Sequence, residues 1–100
     1  MKVKFFVFLL CFGAYFSAKA QFVNIPDTNF RKYLFAHFPA AVLGNSLDTT
    51  HPQILNCTTV NCDSLFIRDL NGIQYFDNLQ FLLCKNNLLH SLPKLPTTLQ

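Results

Sequence analysis

Residues 79–100 read LQFLLCKNNLLHSLPKLPTTLQ, a spacing that the chain has already used once. Leu79, Leu82, Cys84, Asn87, Leu89 and Leu92-Pro93 occupy the pattern L-x-x-L-x-C-x-x-N-x-L-x-x-L-P. Shifted back by 22 positions, the same frame sets Cys57 under Leu79, Val60 under Leu82, Cys62 under Cys84, Ile67 under Leu89 and Leu70 under Leu92. Leu65, under Asn87, breaks it. Leu99 opens the frame again after 20 residues (99 − 79). A repeat of this length is one supersecondary unit that cannot bury its apolar side alone, so the pattern implies copies stacked on a shared core.

Within a copy, period two sorts the residues around x-x-L-x-C-x-x. Leu82 and Cys84 face inward, and Phe81, Leu83 and Lys85 face outward. Parallel strands are therefore expected at 60–62 and 81–85. Leu89 and Leu92 are expected to return to the core. Pro93 and Pro96 hold the outer segment they stand in extended, because each proline fixes its own φ and biases the residue before it. A single amphipathic helix over Leu79–Leu92 is the competing reading, but Asn86-Asn87 in its middle and Pro93 with Pro96 beyond it disfavour that.

The wording L-x-C-x-x-N-x-L-x-x-L-P-x-L-P-x-x-L resembles secreted leucine-rich-repeat proteins of Bacteroidetes-type Gram-negative bacteria, over Val60 to Gln100. Asp69-Leu70-Asn71-Gly72-Ile73 and Phe76-Asp77-Asn78-Leu79 resemble the connector of internalin-like repeats. The resemblance implies an α/β leucine-rich-repeat solenoid with short parallel strands on its concave face, and an Asn87 side chain that bonds the backbone of the neighbouring turn. The 20-residue L-P-x-L-P repeat is also similar to host-delivered bacterial effectors, some of which carry a ubiquitin-ligase domain. A cleavable apolar signal argues against that route.

Such a signal opens the chain. Met1-Lys2-Val3-Lys4 is basic, Phe5 to Phe16 is apolar, and Ser17-Ala18-Lys19-Ala20 ends in small-x-small, which predicts export with cleavage after Ala20. About a dozen apolar residues fall short of the roughly 20 that span a bilayer, so no membrane span is expected in the mature chain. Cys11 has two leucines before it and reads as filler of the apolar run, not as a lipidation site. Removing residues 1–20 leaves five basic residues (8 − 3) against five aspartates, a formal charge near zero. No long-range attraction to nucleic acid or to an anionic membrane remains.

Between signal and repeats, residues 21–56 read as an N-terminal cap. Asp27 is placed to cap a helix over 27–38, with Phe30, Tyr33, Leu34, His37 and Phe38 on one apolar face and Pro39 ending it. Its I-P-D-x-N-F-x-x-x-L wording resembles the cap of the same secreted repeat proteins. The stretch Gly44 to Pro52 follows, and its His51-Pro52 reads as a loop. Many of those relatives carry a calcium-loop-like stretch there, but Asp48 is the one carboxylate present, too few for such a site. Residues 57–100 then hold about two repeats and the start of a third that is cut short.

Chemistry has little to rest on. Cys62 and Cys84 share the inward position of successive copies, where free cysteine packs well, and Cys57 with Cys62 is the local candidate for any bridge. Zinc bound by Cys57, Cys62, Cys84 and His90 matches no closed four-ligand spacing. Asn56-Cys57-Thr58 is a glycosylation sequon by letter alone. No nucleophile elbow, phosphate loop or His-Glu metal motif occurs, so no catalytic residue, cofactor or metal is expected. The expectation is a non-enzymatic protein, secreted or at the cell surface, that binds a protein or glycan ligand. Its candidate binding face is Asn61, Asp63, Phe81, Leu83 and Lys85. The alternative is the recognition module of a longer protein whose activity lies beyond residue 100.

Overall fold

A computed structural model describes residues 20–99. The segment read as an export signal lies, Ala20 aside, outside the described residues. Among these residues no helix is long and apolar enough to cross a membrane.

The helix expected at 27–38 spans Thr28–His37 (α1). Asp27 stands at its N-cap with extended backbone, and its Oδ1 accepts the N–H of Phe30 at 2.9 Å, satisfying one of the donors a helix start leaves open. Phe30, Tyr33 and Leu34 are buried. The apolar face is narrower than the spacing suggested. His37 is exposed, its ring stacked on Tyr33 at a centroid distance of 4.2 Å, and Phe38 is half-buried. Phe38 donates its N–H to the Leu34 carbonyl at the helix end, and Pro39 opens a 3₁₀ turn, Pro39–Ala41.

The stretch 44–52 contains the central strand of a small sheet. Strands Phe22–Asn24 (β1), Val42–Leu43 (β2) and Ser46–Asp48 (β3) pair antiparallel in the order β1-β3-β2. Leu43 faces Ser46 across a two-residue turn whose first residue, Gly44, has φ +60°, the sign such a hairpin asks of its first central position. Leu47 in β3 is buried against the cap core. His51-Pro52 is more than loop. His51 caps the short helix Pro52–Leu55 (α2) through Nδ1, which accepts the Gln53 N–H at 3.1 Å.

The two copies then stack strand on strand. Thr59–Asn61 (β4) and Phe81–Leu83 (β5) are parallel, with Thr59 opposite Phe81, Val60 opposite Leu82 and Asn61 opposite Leu83. Every pair is 22 residues apart, which is the offset read from the sequence. A continuous helix over Leu79–Leu92 is excluded by β5. Between the strands, Ile67, Leu70, Ile73, Phe76 and Leu79 join Val60 and Cys62 in one core with Ile25, Phe30 and Leu34 of the cap. Gly72 makes that junction possible. Its φ is +120°, and a Cβ there would run into the side chain of Ile25.

Burial falls by one step from the first copy to the second. Val60, Cys62 and Ile67 are buried, whereas their equivalents Leu82, Cys84 and Leu89 are half-buried. Leu92, expected in the core, is 49% exposed, although its equivalent Leu70 is buried. Leu70 has chain on both sides of its layer. Leu92 belongs to the last layer of the described residues, where packing partners come from one side only.

A carboxylate ties the start of α1 to the segment between β4 and β5. The second oxygen of Asp27 accepts the N–H groups of Arg68 (2.8 Å) and Asp69 (3.1 Å), more than forty residues away in sequence. Partial burial pushes the Asp27 carboxyl up, but the N–H groups of Phe30, Arg68, Asp69 and Asn29 outweigh it and hold the group below the usual carboxylate range. A depressed folded-state value contributes stability above the unfolded value of about 3.9, and that stability is lost as pH falls through the folded value. Asp27→Asn keeps one acceptor but turns an N–H₂ toward the donors of Arg68 and Asp69. A loss of about 1 kcal/mol is expected at neutral pH. Urea unfolding from pH 7 down to pH 2 should show the gap between the two proteins closing below pH 4.

Candidate binding face

The outward side chains of β4 and β5 form the expected face. Thr59 lies beside Phe81 and Asn61 beside Leu83. Phe81 is 50% exposed and Leu83 38%, a high exposure for an aromatic and an aliphatic side chain in neighbouring positions. Asn61 and Lys85 are exposed as well. The inward residues Val60 and Leu82 hold both strands against the core, so the face is presented by backbone that cannot rotate away.

Asp63 has another task. Its Oδ1 accepts the backbone N–H of Lys85 at 2.6 Å, continuing the ladder where the strands end. The two positions, 22 residues apart, are thus joined through the Lys85 backbone, and Asp63 is half-buried. Asn61 also bends over the same turn, accepting the Asp63 N–H at 3.3 Å.

Asn87 sets the edge of the face. Its Oδ1 accepts the N–H groups of Leu65 (2.9 Å) and Ile67 (3.0 Å), and its Nδ2 lies within 3.3 Å of the carbonyls of Cys62, Cys84 and Lys85. One amide thereby closes the turns of both copies. Leu65, the position that broke the repeat, supplies an N–H instead of a second amide.

The sequence reading missed an apolar ridge beside the strands. Phe66 has φ +58° and is 69% exposed, and Leu88, its equivalent 22 residues on, is 42% exposed. A bulky residue with positive φ is costly unless its surroundings hold it there. Here the Asn29 side chain donates to the Phe66 carbonyl at 3.1 Å, and Asn87 holds both flanking N–H groups. The repeat alignment contained the signal, since it sets Phe66 over Leu88.

The remaining polar candidates are engaged locally. Asp48 accepts the N–H and hydroxyl of Thr50 at 3.0 and 2.8 Å. The Cys57 thiol donates to the Thr59 carbonyl at 3.2 Å, and His90 is exposed. Cys57, Cys62, Cys84 and His90 do not converge, and among the described residues no three His, Cys, Asp or Glu side chains are gathered as metal ligands. A shallow groove of about 440 Å³ lies away from the face, lined by Gln74, Asp77, Lys94, Leu95, Pro96 and Thr97 on the segments that follow the strands. In comparisons with known proteins, no family model, no curated protein and no solved structure matches the chain.

Proposed function

We propose that this chain is the cap and first repeats of an exported leucine-rich-repeat protein that binds a protein or glycan ligand without catalysing a reaction. The observation that carries the reading is the β4–β5 face, where Phe81 and Leu83 stand exposed on strands held from behind by a packed core. Aromatic anchors surrounded by polar groups are the usual centre of a recognition surface. Asn61 and Lys85 supply hydrogen-bonding and charged groups beside them, and the ridge of Phe66 and Leu88 extends the apolar part. The basic, apolar and small-residue sections of residues 1–20 support export. The even 22-residue offset supports the repeat reading.

The test is a triple variant, Phe81→Ser, Leu83→Ser and Lys85→Ala. These side chains point away from the core, so thermal stability should change by no more than about 1 kcal/mol. Binding to a panel of immobilised matrix proteins and to a glycan array should fall at least about tenfold, the loss of a single anchor worth about 1.4 kcal/mol. Unchanged binding with unchanged stability would remove these residues from the site.

A further inference from the structure

Two thiols meet where the copies stack. The pairing of Asn61 with Leu83 is followed by the bond from the Cys62 N–H to the Leu83 carbonyl (2.8 Å), and the ladder goes on through Ser64 N–H to the Lys85 carbonyl (2.8 Å). Cys62 and Cys84 therefore sit opposite each other between two ladder bonds, both facing inward. Neighbouring strands lie about 4.8 Å apart, inside the roughly 4.4–6.8 Å between Cα atoms that a disulfide accepts. Cys57 is placed differently. It precedes the strand Thr59–Asn61, and its thiol donates to the Thr59 carbonyl at 3.2 Å. Beside the local pair suggested by sequence spacing, the strand register thus offers a cross-strand pair.

We propose that Cys62 and Cys84 are a dithiol that an external small-molecule disulfide oxidises to a bridge joining the two copies. Cys84 is the less buried of the two, so the oxidant reaches it first. Its thiolate attacks one sulfur of RS–SR, forming Cys84–S–SR and releasing RS⁻, which takes up the proton that Cys84 lost. The Cys62 thiolate then attacks Sγ of Cys84, forming the Cys62–Cys84 bond and expelling the second RS⁻, which takes the proton from Cys62. The sum is two protein thiols plus RSSR giving one protein disulfide plus two RSH. Burial, then the charges of Cys84 and Asp63, push the Cys62 thiol up to about 12, and burial and Asp63 raise Cys84 too. The exchange is accordingly slow at neutral pH and is followed under mildly alkaline conditions. The inference rests on the pairing of β4 with β5, not on the export or binding reading.

The reduced full chain is incubated with oxidised glutathione at pH 8.5, quenched with acid, alkylated, digested with trypsin and mapped by tandem mass spectrometry. Cleavage after Lys32, Arg68 and Lys85 puts Cys57 and Cys62 in one peptide and Cys84 in the next, so the proposed bridge links two peptides whereas Cys57–Cys62 closes a loop within one. In native buffer the linked pair should exceed the loop at least about tenfold. In concentrated guanidinium the order should reverse, because closing 5 residues is favoured over closing 22 by roughly tenfold in an unfolded chain. Cys57→Ser should leave the native bridge intact, and Cys62→Ser should leave Cys84 carrying only a glutathione adduct. Native samples that show only glutathione adducts, or only bridges containing Cys57, overturn the proposal.

Discussion

Phe76→Ala is expected to lower the unfolding free energy by about 3–5 kcal/mol, the usual cost of truncating a fully buried phenylalanine. Phe76 is inaccessible to solvent, and its ring meets Phe38 of the cap edge-on at a centroid distance of 5.7 Å. It also ends the 3₁₀ turn Ile73–Tyr75, donating to the Ile73 carbonyl and accepting from the Leu79 N–H, so it steers the connector into β5. Removing the ring takes packing from cap and repeats together. Urea unfolding should show a lower midpoint with an unchanged slope, since the same surface is still exposed when the chain unfolds. Phe81→Ala makes the contrast, because that ring stands half in solvent and should cost less than about 1 kcal/mol. Equal losses from the two would show that inward and outward positions are misassigned.

The second large effect is expected at Asn87. Alanine there removes the acceptor for the Leu65 and Ile67 N–H groups and the donor to the carbonyls of Cys62, Cys84 and Lys85 in one step. An orphaned buried group costs about 1–3 kcal/mol, and this half-buried cluster loses partners for several groups at once, so a loss of about 1–3 kcal/mol follows. Hydrogen exchange localises it. The amides of Leu65 and Ile67 should lose protection far more than that of Cys62, which keeps its bond to the Leu83 carbonyl. A uniform loss of protection over the whole chain would mean that the amide matters to global stability alone and not to the turn it fills.

The role of Asn87 was legible through the resemblance that its spacing to Leu82, Cys84 and Leu89 carries, while the inward or outward side of the strand residues follows from local spacing itself. The 22-residue offset is legible for the same reason: stacked copies place equal positions opposite each other, and β4 and β5 keep that register. The cap helix could be read from Asp27, the apolar spacing after it and Pro39. The antiparallel sheet could not. Strands of two or three residues are too short to show alternation, and only the Gly44-Asn45 pair hinted at their hairpin.

On the candidate face, sequence alone determined that Asn61, Phe81, Leu83 and Lys85 point outward, since period two leaves them no other side. Tertiary structure decided what they do there. It turned Asp63 from a surface charge into an acceptor for the Lys85 N–H, raised Phe66 into an exposed ridge by bonding its carbonyl to Asn29, and set Cys62 against Cys84. It also sent the free oxygen of Asp27 to Arg68 and Asp69, and left Leu92 in solvent where the repeat frame had put it in the core. These outcomes depend on partners twenty to more than forty residues away and on how many layers cover a position. Periodicity fixes the direction of a side chain, but the partner it meets is set by how distant segments pack.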